Sequence, residues 1–202
     1  QRLAMMGASK DPRADLKALV AGDKFDKARA QALVTEKTAA ITGKSKVLVI
    51  VSPSNPTGWS ATRDELKEIL ALARRHGLWI VADETYSRFW YGEGARAPSF
   101  YDIMAPDDRI VFVNTFSKNW AMTGWRMGWI SAHPSLGQVV ENLIQYSTSG
   151  VAQFMQRAGV AALDQGEDFV ARQVERARAS RDIAPLDMVH RQLRRMMRAE
   201  TH

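Results

Sequence analysis

The stretch that decides the fold runs Val47-Leu-Val-Ile-Val51, then Ser-Pro-Ser-Asn-Pro-Thr-Gly58, then Thr62 to Gly77, then Leu78-Trp-Ile-Val-Ala82. The first run is continuous and β-branched, the pattern of a strand buried on both faces. A dense cluster of turn formers stops it. Thr62 and Glu65 have the spacing of a capping box, so a helix begins there. Leu66, Ile69, Leu70 and Ala73 recur on one face of that helix, and Gly77 closes it. Leu78 to Ala82 reads as a second buried strand, running into Asp83. Strand, helix and strand in this order predict a right-handed parallel crossover unit.

Working outward, Ile110 to Asn114 and Met127 to Ser131 read as two more strands. The first of them runs directly into Thr115-Phe-Ser-Lys118. From Pro134 onward the pattern is helical, over roughly 134–147, 151–165 and 167–182, with Phe169, Val170 and Val174 as packing positions. Leu186, Val189, Leu193 and Met196 mark a last amphipathic helix, and Arg191, Arg194, Arg195 and Arg198 form its solvated face. Residues 1–45 are mixed and polar, with weak helical patterning from Phe25 to Thr38. There is no internal repeat, low-complexity tract or clear linker. The expected fold class is α/β: a mostly parallel sheet with helices on both faces.

Composition narrows the class. A chain of 202 residues with 46% apolar and 25% charged residues supports one large domain with a hydrophobic core. Without cysteine there are no disulfides or thiolate metal sites. The histidines at 76, 133, 190 and 202 lack metal-ligand spacing, so no metal is expected. The longest apolar runs are far too short to span a bilayer, and the first residues lack a secretory signal pattern. A cytoplasmic protein without a membrane partner is expected. The net charge of +6 comes from basic residues spread along the chain, denser from Arg172 to Arg198. No helix-turn-helix or basic-aromatic repeat accompanies them, so they predict a solvated helix face rather than a nucleic-acid surface.

In parallel α/β sheets, functional groups collect just beyond the carboxyl ends of the strands. Three such ends here carry Asn55, then Asp83 and Tyr86, then Thr115, Ser117 and Lys118. Arg126 follows in Met122-Thr-Gly-Trp-Arg-Met-Gly-Trp129. Taken singly, each feature is ordinary: a turn, a helix cap, a surface lysine, packing aromatics at Tyr86, Trp120 and Trp125, an exposed ion pair at Arg126. Together they supply an amine, an acid, a phenol, an amide, hydroxyls and a guanidinium to one pocket. That set suits pyridoxal 5′-phosphate (PLP). An unprotonated lysine amine attacks the cofactor aldehyde. A carboxylate keeps the pyridine nitrogen protonated, so the ring accepts electrons. Arginine and hydroxyls hold a phosphate dianion through charge-assisted bonds.

These segments resemble the class I/II aminotransferases, fold-type I PLP-dependent enzymes. Ser52 to Gly58 is similar to the family's asparagine loop, Ala82-Asp-Glu-Thr-Tyr86 to its Asp-Glu-x-Tyr element, and Thr115 to Arg126 to its lysine segment. The resemblance implies that Lys118 is the Schiff-base lysine and that Asp83 pairs with the pyridine nitrogen. It places Asn55 and Tyr86 at the ring oxygen, and Thr115, Ser117 and Arg126 on the phosphate. It also implies a cis Asn55–Pro56 peptide bond, amino-acid and 2-oxo-acid substrates, and a homodimer.

The resemblance covers roughly residues 30–182. It implies an incomplete chain: residues 1–182 as a truncated PLP-binding large domain, residues 183–202 as a helix of uncertain origin, and no small domain. The family's upstream phosphate-cradling loop has no counterpart, nor has the tyrosine lent to the neighbouring subunit. The same holds for the arginine that grips the substrate carboxylate. Since that grip orients the reacting bond, the isolated chain is expected to turn over feebly. Three alternatives stay open. A carbon–sulfur β-lyase on this scaffold shares every motif, and an inactive fragment is compatible with the departures. The sensor half of a transcriptional regulator expects an upstream DNA-binding module, for which residues 1–45 are too short and unpatterned.

Overall fold

Strand β1 (Val47–Val51), helix α1 (Arg63–His76) and strand β2 (Trp79–Asp83) form where the deciding stretch predicts them, in a computed structural model that describes residues 44–183. The patterning from Phe25 to Thr38 and the terminal helix with Leu186 and Arg191 lie outside the described residues. From Lys46 to Arg178 the described residues belong to one compact unit. The expected boundary after residue 182 falls at the end of the described residues.

Helix α1 starts and stops for local reasons. The Thr62 hydroxyl accepts from Glu65 N–H at 3.2 Å, and Glu65 Oε2 accepts from Thr62 N–H at 2.7 Å. These two bonds satisfy amides that the first turn leaves orphaned. At the other end Gly77 takes φ of 61°, and its N–H reaches the carbonyls of Ala73 and Arg74. A residue with a Cβ is strained in that left-handed conformation. One face of α1 buries Leu66, Ile69, Leu70 and Ala73. Full burial of each large side chain contributes about 1.5–3 kcal/mol.

Strands β3 (Ile110–Thr115) and β4 (Gly128–Ala132) complete a four-stranded sheet of order β1-β2-β3-β4. β1, β2 and β3 run parallel, with Val51 opposite Asp83 and Asp83 opposite Val113. β4 is antiparallel to β3, pairing Thr115 with Gly128. Residues 116–127 join these two strands, the bare minimum for a parallel crossover, and they carry only a four-residue helix and a 3₁₀ turn instead of a helix long enough to return the chain across the sheet. The fold is α/β with a mostly parallel sheet and helices.

Burial departs from the sequence expectation in both of the first two strands. The apolar run of β1 is half-buried at every position rather than buried on both faces. Among the described residues β1 lies at the edge of the sheet, so it lacks a neighbour on its outer side. β2 alternates instead, with Ile80 and Ala82 buried and Trp79, Val81 and Asp83 half-buried. Ile110 and Phe112 continue the buried face on β3, and Phe112 stacks on Tyr101 with ring centroids 3.7 Å apart.

A 3₁₀ turn, Pro134–Leu136, leads into α3 (Gly137–Ser147), α4 (Gln153–Gln165) and α5 (Glu167–Ile183). Val170 is buried, and Phe169 and Val174 are half-buried. Among the described residues no helix is long and apolar enough to cross a membrane. No cluster of three or more His, Asp or Glu suited to a metal ion occurs among them either.

Candidate active site

Because β1, β2 and β3 are parallel, their carboxyl ends open on the same edge of the sheet. Three connections leave from there. After β1 the chain turns through Ser52–Pro53 and Asn55–Pro56, both of which are cis, the second as the resemblance implies. Backbone bonds close this loop: Ser54 N–H to Trp59 O at 2.8 Å and Gly58 N–H to Ser54 O at 2.8 Å. The buried Ser52 hydroxyl accepts from Ala61 N–H at 2.9 Å. Asn55 is left at the exposed tip, where its Nδ2 donates to the Tyr86 hydroxyl at 3.3 Å.

β2 ends at Asp83, whose Oδ1 accepts from Thr85 N–H at 3.1 Å. The carboxylate therefore caps its own turn rather than a helix. Glu84 follows on the buried side of the strand, and its carboxylate takes the Ser99 hydroxyl at 2.6 and 2.9 Å. Burial pushes the Glu84 carboxyl above its ordinary range, against the Ser99 hydroxyl, the Phe100 backbone N–H and Arg96. Tyr86 emerges one turn later, half-buried, edge-on to Phe89.

β3 delivers the third element. The Thr115 hydroxyl accepts from Ser117 N–H at 3.1 Å and so caps α2 (Phe116–Asn119). It donates its single proton to Met127 O, also at 3.1 Å. The buried Phe116 ring packs against Trp120 and Trp129, with centroids 5.2 and 5.0 Å away. That aromatic contact fixes the short helix on the β3–β4 hairpin. Lys118 projects from it, half-buried, with Nζ 5.5 Å from the centre of the Tyr86 ring. That separation is within the range at which an amine contacts a ring face.

The predicted residues thus divide. Asn55, Tyr86 and Lys118 are linked in one chain of contacts, and Asp83 shares their edge of the sheet. Ser117 is buried beside Lys118. Thr115 is in place, but its hydroxyl is committed to Met127 and Ser117. Arg126 is exposed at φ of 50° and donates to Thr123 O at 3.3 Å. Ser99 was not legible: it lies 15 residues from Glu84 with no periodic relation to it. Beside Asn55 and Tyr86 opens a groove of about 440 Å³, faced by Pro53, Phe89, Trp90 and Tyr91. No charged side chain lines it.

The sequence profile of the family described as aminotransferase class I and II matches residues 16–193. The chain therefore belongs to that family, whose enzymes are generally PLP-dependent. Among curated relatives, an aspartate aminotransferase of Streptomyces avermitilis is 37% identical over 134 residues, covering 64% of this chain and 32% of its own length. One from Geobacillus stearothermophilus is 38% identical, covering 61% of this chain and 31% of its own length. Among solved structures, an aromatic aminotransferase from Pyrococcus horikoshii superposes with a TM-score of 0.66 at 33% identity, covering 74% of this chain and 39% of that one. N-Succinyldiaminopimelate aminotransferase from Mycobacterium tuberculosis gives 0.67 at 29% identity, covering 80% and 40%. The chain spans about a third of the length of the curated relatives it matches.

Proposed function

We propose that this chain is the PLP-binding part of an aminotransferase that moves an amino group between an amino acid and a 2-oxo acid. One observation carries the reading. The Lys118 amine faces the Tyr86 ring, whose hydroxyl meets Asn55, at the strand ends where Asp83 also emerges. The donor set fits the cofactor: an amine for its aldehyde, a carboxylate for its pyridine nitrogen, a phenol and an amide for its ring oxygen. Ser117 and Arg126 would hold the phosphate. Thr115 would join them only by exchanging its bond to Met127.

When bound, PLP supplies an electron sink for the pair left by a broken bond at the substrate Cα. The remaining work belongs to the chain. Asp83, oriented by its bond to Thr85, would keep the pyridine nitrogen protonated. Asn55 and Tyr86 would fix the ring's orientation, and with it the reacting bond. The Lys118 amine, once free, would take the proton from the substrate Cα as general base and return it as general acid. A second copy of the chain is the proposed partner. In support, α3 and α4 expose Val139, Leu143, Tyr146, Phe154 and Leu163, and such apolar exposure marks association surfaces.

Incubating the PLP-loaded chain with an amino-acid donor and a 2-oxo-acid acceptor tests the reading. Formation of the donor's 2-oxo acid with a matching new amino acid, lost in Lys118→Ala, is the expected result. Pyruvate and thiol from a cysteine conjugate, without amino transfer, would instead identify a β-lyase. Products identical in wild type and Lys118→Ala contradict both.

A further inference from the structure

The buried Glu84 carboxylate has no part in the chemistry just described, yet it lies between the two residues of its element that do. Its backbone is fixed on both sides. Glu84 N–H reaches Val113 O at 3.1 Å, extending the β2–β3 ladder one residue past Asp83. Glu84 O accepts from Ser87 N–H at 2.9 Å, which starts the turn carrying Tyr86. Along an extended chain, successive side chains leave on opposite faces. Asp83 is therefore half-exposed while Glu84 is 8% exposed.

What holds Glu84 is Ser99, itself only 2% exposed. The Ser99 hydroxyl donates to the carboxylate and accepts from Tyr101 N–H at 3.1 Å, capping a 3₁₀ turn, Phe100–Asp102. Ser99 N–H in turn donates to Asp102 Oδ2 at 3.0 Å, and Arg96 grips Asp102 with two nitrogens. Ala97 N–H to Ser87 O at 2.9 Å closes the loop from within. The segment between residues 84 and 99 is thus a closed loop fastened at its ends by one buried hydroxyl–carboxylate contact. A buried carboxylate is costly unless hydrogen-bonded, so each partner demands the other.

We infer that Glu84 is a positioning residue: clamped by Ser99, it sets the direction in which Asp83 and Tyr86 leave β2, and so tunes the site for PLP. This rests on the proposed function, since the geometry being tuned is the cofactor's. The clamp itself can be read without the cofactor.

Four proteins test it: wild type, Ser99→Ala, Glu84→Leu, and Glu84→Gln, which keeps an acceptor for the Ser99 hydroxyl. In the PLP-free chain, amide exchange at Thr85, Tyr86 and Ser87 should quicken by about tenfold in Ser99→Ala and Glu84→Leu. Amides in α1 should be unaffected, and Glu84→Gln should exchange like wild type. Titration with PLP, followed by visible absorbance, should show affinity weakened by about tenfold in the same two variants and restored in Glu84→Gln. Wild-type exchange in Ser99→Ala overturns the clamp. Faster exchange with unchanged PLP affinity overturns the positioning role, as does an affinity loss in Glu84→Gln equal to that in Glu84→Leu. A wild type that takes up no PLP sinks the proposed function and the positioning role with it, while the exchange rates still decide the clamp.

Discussion

Asn55 and Tyr86 come from loops 31 residues apart and meet through a single bond between amide and phenol. If that bond orients both groups toward one cofactor oxygen, losing either partner loses the same interaction. Asn55→Ala and Tyr86→Phe are each expected to weaken PLP binding by about tenfold, and the double variant by little more. Losses that simply multiply in an absorbance titration would show the two acting independently. Position was legible in the sequence at this scale because buried strands end in polar residues, and a parallel sheet gathers those ends on one edge. Hydrogen-bond partners were not. Thr115 is where the lysine segment puts it, yet its proton goes to Met127, a consequence of the β3–β4 register that no spacing encodes. Glu84 was in plain view inside Asp-Glu-x-Tyr, but Ser99 stands beyond a loop without periodicity.

Elements were more legible than contacts. The β1-α1-β2 unit follows from local signals that agree with one another: turn residues, a capping box, an apolar helical stripe and a closing glycine. Thr62→Ala removes one half of that box and should lower stability by about 1 kcal/mol in urea unfolding. Leu66, 1% exposed, belongs to the apolar stripe; truncating it to alanine should cost about 2–5 kcal/mol. A larger loss for Thr62→Ala than for Leu66→Ala would mean that capping, not packing, holds α1. The orientation of β4 was less visible, since it depends on a short connection and on Gly128. A Cβ there would meet Asn114 O at 2.4 Å and Thr115 Cα at 3.3 Å. Both neighbours are backbone atoms, so no rotamer change relieves the contact. The half-burial of β1 was illegible for a different reason: an apolar run reports what a strand can bury, not which neighbours it has.

For the whole molecule, ion pairs join segments that the sheet does not. Asp108, buried at its side chain, takes two bonds from Arg74 at 2.7 Å, tying the end of α1 to the turn before β3. Arg88 holds Glu167 at the start of α5, and Arg96 holds Asp102. In all three cases the arginine hydrogen bond draws the carboxyl below its ordinary value. A carboxylate with a depressed folded pKa contributes stability that is fully present above its unfolded value and disappears as pH falls through the folded one. Glu84, raised by burial, has the opposite sign: its cost appears as pH rises above its unfolded value and is complete once pH passes the raised folded one. The net expectation is stability that falls on acidification below about pH 4, with a shallower fall in Asp108→Asn. Solvent around Arg74 and Glu167 screens these pairs, so added salt should flatten the dependence as well. An acid profile unchanged by Asp108→Asn would assign the fall to other groups. Above all, the proposed function requires that Lys118 form the bond to PLP. Incubating the intact chain with PLP, reducing with borohydride and mapping the modified peptide by mass spectrometry tests it directly. A pyridoxyl group fixed on Lys118, and absent from Lys118→Ala, is the predicted result; modification spread over other lysines, or surviving in Lys118→Ala, contradicts it.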